Sequence, residues 1–161
     1  ILCELFEENP GNMHVNGQSL VDDVKDSLTN VDENEIIYNI ERLGDNFTID
    51  HSPSVGGLGT ISLEVRGIDR YEQLSGSTVV PADDIEVVLE LLYEKERANP
   101  QAPAISRDEL LDETGLAENT LDKVVWYLKE KHWADVLTHL GTPWYAQAEI
   151  TDSGRSAYES I

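Results

Sequence analysis

The second half of the chain has a pattern of apolar positions that predicts three helices. Four aliphatic residues within 85–92 recur at helical spacing and predict a first helix. Ser106 is followed three residues later by Glu109, the spacing of a capping box, so a second helix is expected to begin there. Gly115 is expected to end it, because glycine readily adopts the left-handed conformation. Aliphatic residues three and four apart predict a third helix over 119–131.

After this third helix the pattern changes to short apolar segments separated by turn residues. Residues 134–138 and 145–150 are predicted to form a hairpin around the segment 139–143, which contains a glycine and a proline. Thr151 then has the position of a helix cap and opens a last helix that contains Tyr158. The predicted order is therefore a helix, a helix-turn-helix, a hairpin and a closing helix.

The first half of the chain predicts the same order of elements. Its helices are expected over 1–8, 17–27, 32–43 and 64–74, with a hairpin around 54–59. The halves also match directly, because an offset of 87 superposes several residues of the last helix on residues of the first half. These pairs are Ile150 with Leu63, Gly154 with Gly67, Tyr158 with Tyr71 and Glu159 with Glu72. We interpret this as a duplication; two unrelated small domains of similar composition are the alternative.

Domain boundaries follow from the interval between the two copies. We expect a first domain over 1–75, a linker over 76–84 and a second domain over 85–161. Because the chain opens at Ile1, already in an apolar pattern, we expect it to be part of a longer protein. A catalytic or ligand-binding domain could lie in that missing part.

The segment Glu109–Leu128 resembles the helix-turn-helix of winged-helix transcription regulators. Residues 150–158 are similar to the leucine-threonine-x-x-glycine segment that closes the wing in that superfamily. The resemblance implies an α+β, mainly α, fold with two tandem winged-helix domains. It also implies DNA binding through the second helix of each helix-turn-helix. The first copy departs from the pattern at Ser27–Asp32, where the glycine-containing turn is missing.

Helical spacing assigns an outward face to the helix at 119–131 and to the helix at 32–43. Side chains on these faces, with one cation at the start of the preceding helix, are the candidate contacts for DNA or a partner. They are Arg107, Asn119, Thr120, Lys123, Trp126 and Tyr127 in the second copy, and Asn34, Tyr38 and Arg42 in the first.

The charge balance changes this picture. The chain has 32 acidic and 11 basic residues, a formal charge of −21, and only five lysines. Acidity spread evenly with little lysine resembles the proteins of salt-in halophiles; an ordinary acidic protein is the alternative. Affinity for DNA at ordinary salt is disfavoured, because phosphate contacts depend on cations. High salt weakens this objection, since base contacts then matter more than phosphate pairs. The sequence therefore predicts a DNA-binding, transcription-regulatory module adapted to high salt.

A protein–protein interaction module is the alternative function. Tandem winged helices in segregation-and-condensation and endosomal-sorting subunits bind proteins, and this chain resembles them in its architecture. Tyr38 and Trp126 occupy corresponding outward positions, and exposed aromatics commonly anchor protein interfaces. A second protomer, giving a homodimer, or another part of the chain could equally cover these aromatics.

The sequence contains no pattern that indicates an enzyme, a cofactor or a metal site. Cys3 is the only cysteine, and none of the four histidines has a partner at metal-ligand spacing. Gly56–Gly59 lacks the lysine that follows a phosphate-binding loop, so we interpret it as a wing tip. No apolar run approaches the roughly 18 residues of a membrane span. A cytoplasmic protein without catalytic residues is expected.

Overall fold

The computed structural model describes residues 15–28, 31–45, 49–54, 57–76, 80–139 and 145–161. The chain divides into two compact units, Ile1–Val79 and Val80–Ile161. Within the described residues there are seven helices and two three-stranded antiparallel sheets. The predicted α+β, mainly helical, fold class is confirmed.

Within the described residues, the elements of the first unit follow the order strand, helix, helix, strand, strand, helix. Its elements are β1 (Val15–Asn16), α1 (Gly17–Ser27), α2 (Glu33–Asp45), β2 (Ile49–Ser54), β3 (Gly57–Leu63) and α3 (Val65–Ser75). The strand order in the sheet is β1-β3-β2. The predicted helices and the hairpin of this unit are present, apart from the helix expected over 1–8, which lies outside the described residues.

Local sequence explains where the helices of the first unit begin. The Asn16 side chain caps α1, because its Oδ1 accepts hydrogen bonds from the backbone N–H groups of Gln18 and Ser19 at 3.0 and 3.2 Å. Asp32 accepts a bond of 2.7 Å from the N–H of Asn34 at the start of α2. The core of this unit consists of aliphatic side chains from its three helices and the sheet: Leu20, Val21, Val24, Ile36, Ile40, Ile49, Ile61 and Ile68.

The second unit begins with a long helix and continues with the arrangement of a winged helix. Its elements are α4 (Ala82–Ala98), β4 (Ile105–Ser106), α5 (Arg107–Thr114), α6 (Glu118–Glu130), β5 (Ala134–Leu137), β6 (Gln147–Ile150) and α7 (Asp152–Tyr158). The strand order is β4-β6-β5. The helix α4 contacts α5, α6, α7 and β6, so the core of the unit lies around its buried side. That side consists of Ile85, Val88, Leu89 and Leu92.

Local features of the sequence fix where α4 and α7 begin in this unit. Because α4 begins at Ala82, the last three residues of the expected linker are helical, and Val80 is already buried. Thr151 caps α7 by accepting a bond of 3.0 Å from the N–H of Gly154. A side chain at Gly154 would collide with the carbonyl oxygen of Trp133, so only glycine permits this approach.

Candidate functional site

The helix-turn-helix formed by α5 and α6 is specified by its own residues. Gly115 ends α5 with φ of 66°, in the left-handed region, as the sequence predicts. Its N–H donates to the carbonyl oxygen of Leu111 at 3.0 Å. The Thr114 hydroxyl donates to the carbonyl of Leu110 at 2.6 Å and accepts from the N–H of Leu116 at 3.3 Å. The turn therefore holds α6 at a defined angle to α5.

Exposure divides α6 into two halves. Glu118 and Asn119 are exposed, and Thr120 and Lys123 are half-buried. The five consecutive residues 124–128 are all buried. Since successive helical residues are rotated by about 100°, five in a row point in every direction around the axis. Residues 124–128 are thus enclosed on all sides, and the exposed residues of α6 lie in its first turn.

The expected outward positions of Trp126 and Tyr127 are therefore wrong. Their exposed fractions are 7% and 3%. Tyr127 packs edge-on against Trp133, with ring centroids 5.9 Å apart, and the Lys131 ammonium lies 5.4 Å from its centroid. A helix that is apolar all round is buried all round, and Trp126 and Tyr127 extend the apolar surface of α6 beyond the aliphatic stripe.

Arg107, predicted as a contact residue, has an intramolecular role. Its Nε and one terminal nitrogen bind the two carboxylate oxygens of Asp122 on α6, each at 2.9 Å. The side chains of this pair are only 13% and 17% exposed. The same terminal nitrogen is 3.5 Å from Glu118, and the backbone N–H of Arg107 donates to the carbonyl of Ala146 at 2.9 Å. Arg107 thus joins the start of α5 to α6 and to the chain before β6.

Tyr145 completes this group, which we call the Arg107 cluster (Arg107, Glu118, Asp122 and Tyr145). The guanidinium carbon lies 6.0 Å from the centroid of the fully buried Tyr145 ring. Burial raises the pKa of the Tyr145 phenol above its ordinary range, and the charge of Asp122 raises it further. The hydrogen bonds that the Arg107 guanidinium donates to Asp122 raise the pKa of Arg107 above its ordinary value.

The helix α5 places acidic side chains beside the exposed start of α6. Glu109 accepts a hydrogen bond of 2.6 Å from the ammonium of Lys95 on α4, so its charge is compensated. Asp108, Asp112 and Glu113 are exposed on the same helix. The exposed turns of α6 therefore lie next to an acidic surface.

In the first unit, α2 presents most of its length to solvent. Tyr38 is 57% exposed, and the guanidinium carbon of Arg42 lies 5.9 Å from the centroid of its ring. The exposed Asn34 donates from its side-chain amide to Asp32 at 2.9 Å and thereby takes part in the start of the helix. Glu35 and Glu41 are exposed on the same helix. The predicted aromatic anchor is therefore accessible in this unit.

All eleven lysine and arginine side chains lie in the described parts of the chain, and each is already engaged within it. Six form ion pairs: Lys25, Lys95, Arg97, Arg107, Lys129 and Arg155. Arg42 and Lys131 lie over tyrosine rings, Arg70 donates to Gln73 at 2.7 Å, and Arg66 and Lys123 have interactions of their own. Phosphate contacts would have to compete with these interactions.

The described residues contain no cluster of metal ligands and no membrane-spanning helix. Among them, no three histidine, cysteine, aspartate or glutamate side chains are grouped as a metal ion would require. None of their helices combines the length and the apolar composition of a membrane crossing.

Comparisons with known proteins give distant structural likenesses. No protein-family model matches the sequence, and no curated protein matches it. One similar structure is that of BpsR from Bordetella bronchiseptica, whose DNA binding is regulated by 6-hydroxynicotinic acid. The identity is 20% and the TM-score 0.41, and the match covers 59% of this chain and 62% of that chain. Another is the reduced form of MarR from E. coli, with 13% identity, a TM-score of 0.38 and coverage of 81% and 73%. With TM-scores below 0.5, these likenesses establish no family.

Proposed function

We propose that the chain is a non-enzymatic, tandem winged-helix protein that binds DNA and regulates transcription in a cytoplasm of high salt content. The observation that carries this proposal is the division of α6. Its first turns hold the exposed Asn119 and the half-buried Thr120 and Lys123, whereas residues 124–128 are buried in the core. In helix-turn-helix proteins the N-terminal residues of the second helix contact base edges.

The side chains at this end of α6 are suited to base recognition. An asparagine amide can bind adenine through both its donor and its acceptor, and a lysine can donate to guanine. Asn119 and Lys123 are four residues apart and therefore lie on one side of the helix. They could reach neighbouring base pairs in the major groove. The Arg107 cluster would hold α6 in position rather than contact the DNA.

The charge distribution predicts an unusual salt dependence. Each phosphate neutralised by a protein cation releases counterions and steepens the loss of affinity with salt. Here the cations are already engaged, and α5 carries four exposed carboxylates, of which Glu109 is paired with Lys95. We therefore expect a shallow dependence of affinity on salt, with binding that persists at molar potassium chloride.

The test is retention of genomic DNA fragments by the full chain at molar potassium chloride, followed by affinity measurements on a retained fragment. The double variant Asn119→Ala, Lys123→Ala is expected to lose at least tenfold in affinity, because each base contact contributes about 1–3 kcal/mol. Gln101→Ala, which removes an exposed amide outside both helix-turn-helix elements, is the matched control and should bind like the wild type. Retention of no fragment above background, or equal affinity of the double variant, contradicts the proposal.

Tyr38 favours a second candidate function, a protein-interaction module. An aromatic side chain that is 57% exposed and has an arginine 5.9 Å from its ring could insert into a pocket of a partner. If the partner is a second copy, Tyr38→Ala should lower the mass measured by light scattering from that of a dimer to that of a monomer. A wild-type chain that is monomeric at all concentrations would exclude the second copy as partner.

A further inference from the structure

The helix α4 has an outward face that its own unit leaves uncovered. Glu86, Glu90 and Glu94 are exposed at intervals of four residues, so they form a row along the helix. Val87, beside this row, is 38% exposed. This face lies opposite the aliphatic residues that α4 buries.

Two tyrosines adjoin the row of carboxylates. The rings of Tyr93 on α4 and Tyr158 on α7 have centroids 4.9 Å apart and are tilted by 39°. The Tyr93 hydroxyl donates a hydrogen bond of 3.4 Å to Glu159. Partial burial raises the pKa of the Tyr158 phenol, and the charges of Glu90, Glu94 and Glu86 raise it further, so these carboxylates lie around the tyrosine pair.

A cleft of about 390 Å³ continues this surface at the end of α4. Its lining residues are Tyr93, Glu96, Arg97, Pro100, Arg155 and Glu159. Both arginines are paired with acidic residues: Arg155 with Glu96 and Asp152, and Arg97 with Glu94 at 3.5 Å. By contrast, Glu86 and Glu90 have no hydrogen bond or ion pair with any other described residue. The acidic side of the surface therefore retains unused acceptors next to aromatic rings.

We propose that this acidic–aromatic face (Glu86, Glu90, Glu94, Tyr93 and Tyr158) docks a basic protein segment that presents arginine side chains at a four-residue spacing. A guanidinium group can stack on a tyrosine ring while its fork of donors binds a carboxylate. The four-residue spacing of the carboxylates matches that of side chains on a partner helix. Val87 would contact an apolar residue between the arginines.

Arginine is favoured over lysine on physical grounds. An ammonium group is a compact, strongly hydrated charge, and salt screens its attraction to an exposed carboxylate. Stacking on the tyrosine pair and bidentate hydrogen bonding depend less on long-range charge. The preference for arginine should therefore increase with salt. This docking surface is independent of the DNA-contacting end of α6, and its failure would leave the DNA-binding proposal unchanged.

The test uses a synthetic helical peptide with arginines four residues apart and a leucine between them, titrated against the full chain by fluorescence anisotropy. We expect it to bind about tenfold more tightly than the same peptide with lysines, which corresponds to about 1.4 kcal/mol. The preference should widen between low salt and molar potassium chloride. Equal affinity for both peptides at every salt concentration would overturn the proposal.

Charge reversal distinguishes a specific site from general attraction to an acidic protein. Glu86→Lys, Glu90→Lys should weaken binding of the arginine peptide at least tenfold. The matched control, Asp112→Lys, Glu113→Lys on α5, changes the net charge equally on exposed positions and should stay within twofold of the wild type. Tyr158→Leu should abolish the preference for arginine over lysine. Equal losses in both charge-reversal variants would show that the attraction is non-specific and refute the docking surface.

Discussion

The helices α2 and α6 are both thirteen residues long and follow another helix in their units, yet they are buried to very different extents. In α2 only Ile36 and Ile40 are buried. In α6 six residues are buried: Leu121, Val124, Val125, Trp126, Tyr127 and Leu128. A helix with two buried residues offers most of its length for contact, whereas the middle of α6, residues 124–128, is enclosed. The same kind of element can thus serve as an accessible surface in one unit and mainly as core in the other.

The largest expected effect comes from truncating a buried aromatic residue of α6. Trp126→Ala should lower the free energy of unfolding by about 3–5 kcal/mol, because it removes a large side chain and leaves a cavity. Tyr38→Ala in α2 should change it by about 0.5 kcal/mol or less, since that side chain is exposed. Urea unfolding of both variants at one salt concentration measures the difference. Similar losses in the two variants would contradict the contrast between the helices.

The buried ion pair of the second unit should have a larger coupling energy than the exposed ion pair of the first unit. Arg107 and Asp122 are mostly buried and bind through two hydrogen bonds, whereas Lys25 and Glu33, which join α1 and α2, are 40% and 46% exposed. A double-mutant cycle for Arg107 and Asp122 should give a coupling energy of about 2 kcal/mol. The cycle for Lys25 and Glu33 should give about 0.5 kcal/mol or less. A larger value for the exposed pair would refute this ranking.

The pH dependence of stability should reveal the buried phenol of Tyr145. Its pKa is raised by burial in the folded protein, so the unfolded chain ionises first as the pH increases above about 10. The contribution of the neutral Tyr145 phenol to the free energy of unfolding is fully present below pH 10. Above pH 10 it is lost at about 1.4 kcal/mol per pH unit. Tyr145→Phe should remove this part of the decline between pH 9 and pH 11. An unchanged decline in the variant would assign it to other groups.

The smallest of these effects concerns the cap of α7. Thr151→Ala should cost about 1 kcal/mol, because the N–H of Gly154 loses its acceptor. Asn16→Ala at the start of α1, where two N–H groups lose their acceptor, should cost a similar amount. Thermal unfolding of the two variants tests whether the caps of the two units have equal weight. A loss of several kcal/mol for either would indicate a role beyond capping.

Local signals were sufficient to predict most helices and both hairpins. Each of these signals lies within a few residues of the element that it defines: the spacing of apolar residues, the helix caps and the glycine that ends a helix. The helix α1 therefore lies at the predicted residues 17–27, and α5 ends at Gly115 as predicted. The two-residue strands β1 and β4 were not predicted, because two residues are too few to show an alternating pattern.

The candidate site was harder to predict because it depends on contacts between distant residues. Helical periodicity locates the aliphatic side of α6, but it does not show whether the opposite side will be covered, and Trp126 and Tyr127 were therefore misplaced. Arg107 is fifteen residues from Asp122 in sequence. This separation does not show whether an arginine forms an internal ion pair or binds a DNA phosphate. The tandem duplication and the contact residues remain predictions.

The collision that any side chain at Gly154 would have with the Trp133 carbonyl has a consequence for interpreting distant resemblance. The threonine and glycine of this segment lie at a corner where a strand passes into a helix, so another protein with the same close approach there would meet the same steric demand. Such a signature would recur in proteins whose ligands differ completely. The signature indicates a shared geometry of the fold. The ligand has to be inferred from other side chains, which this steric demand does not restrict.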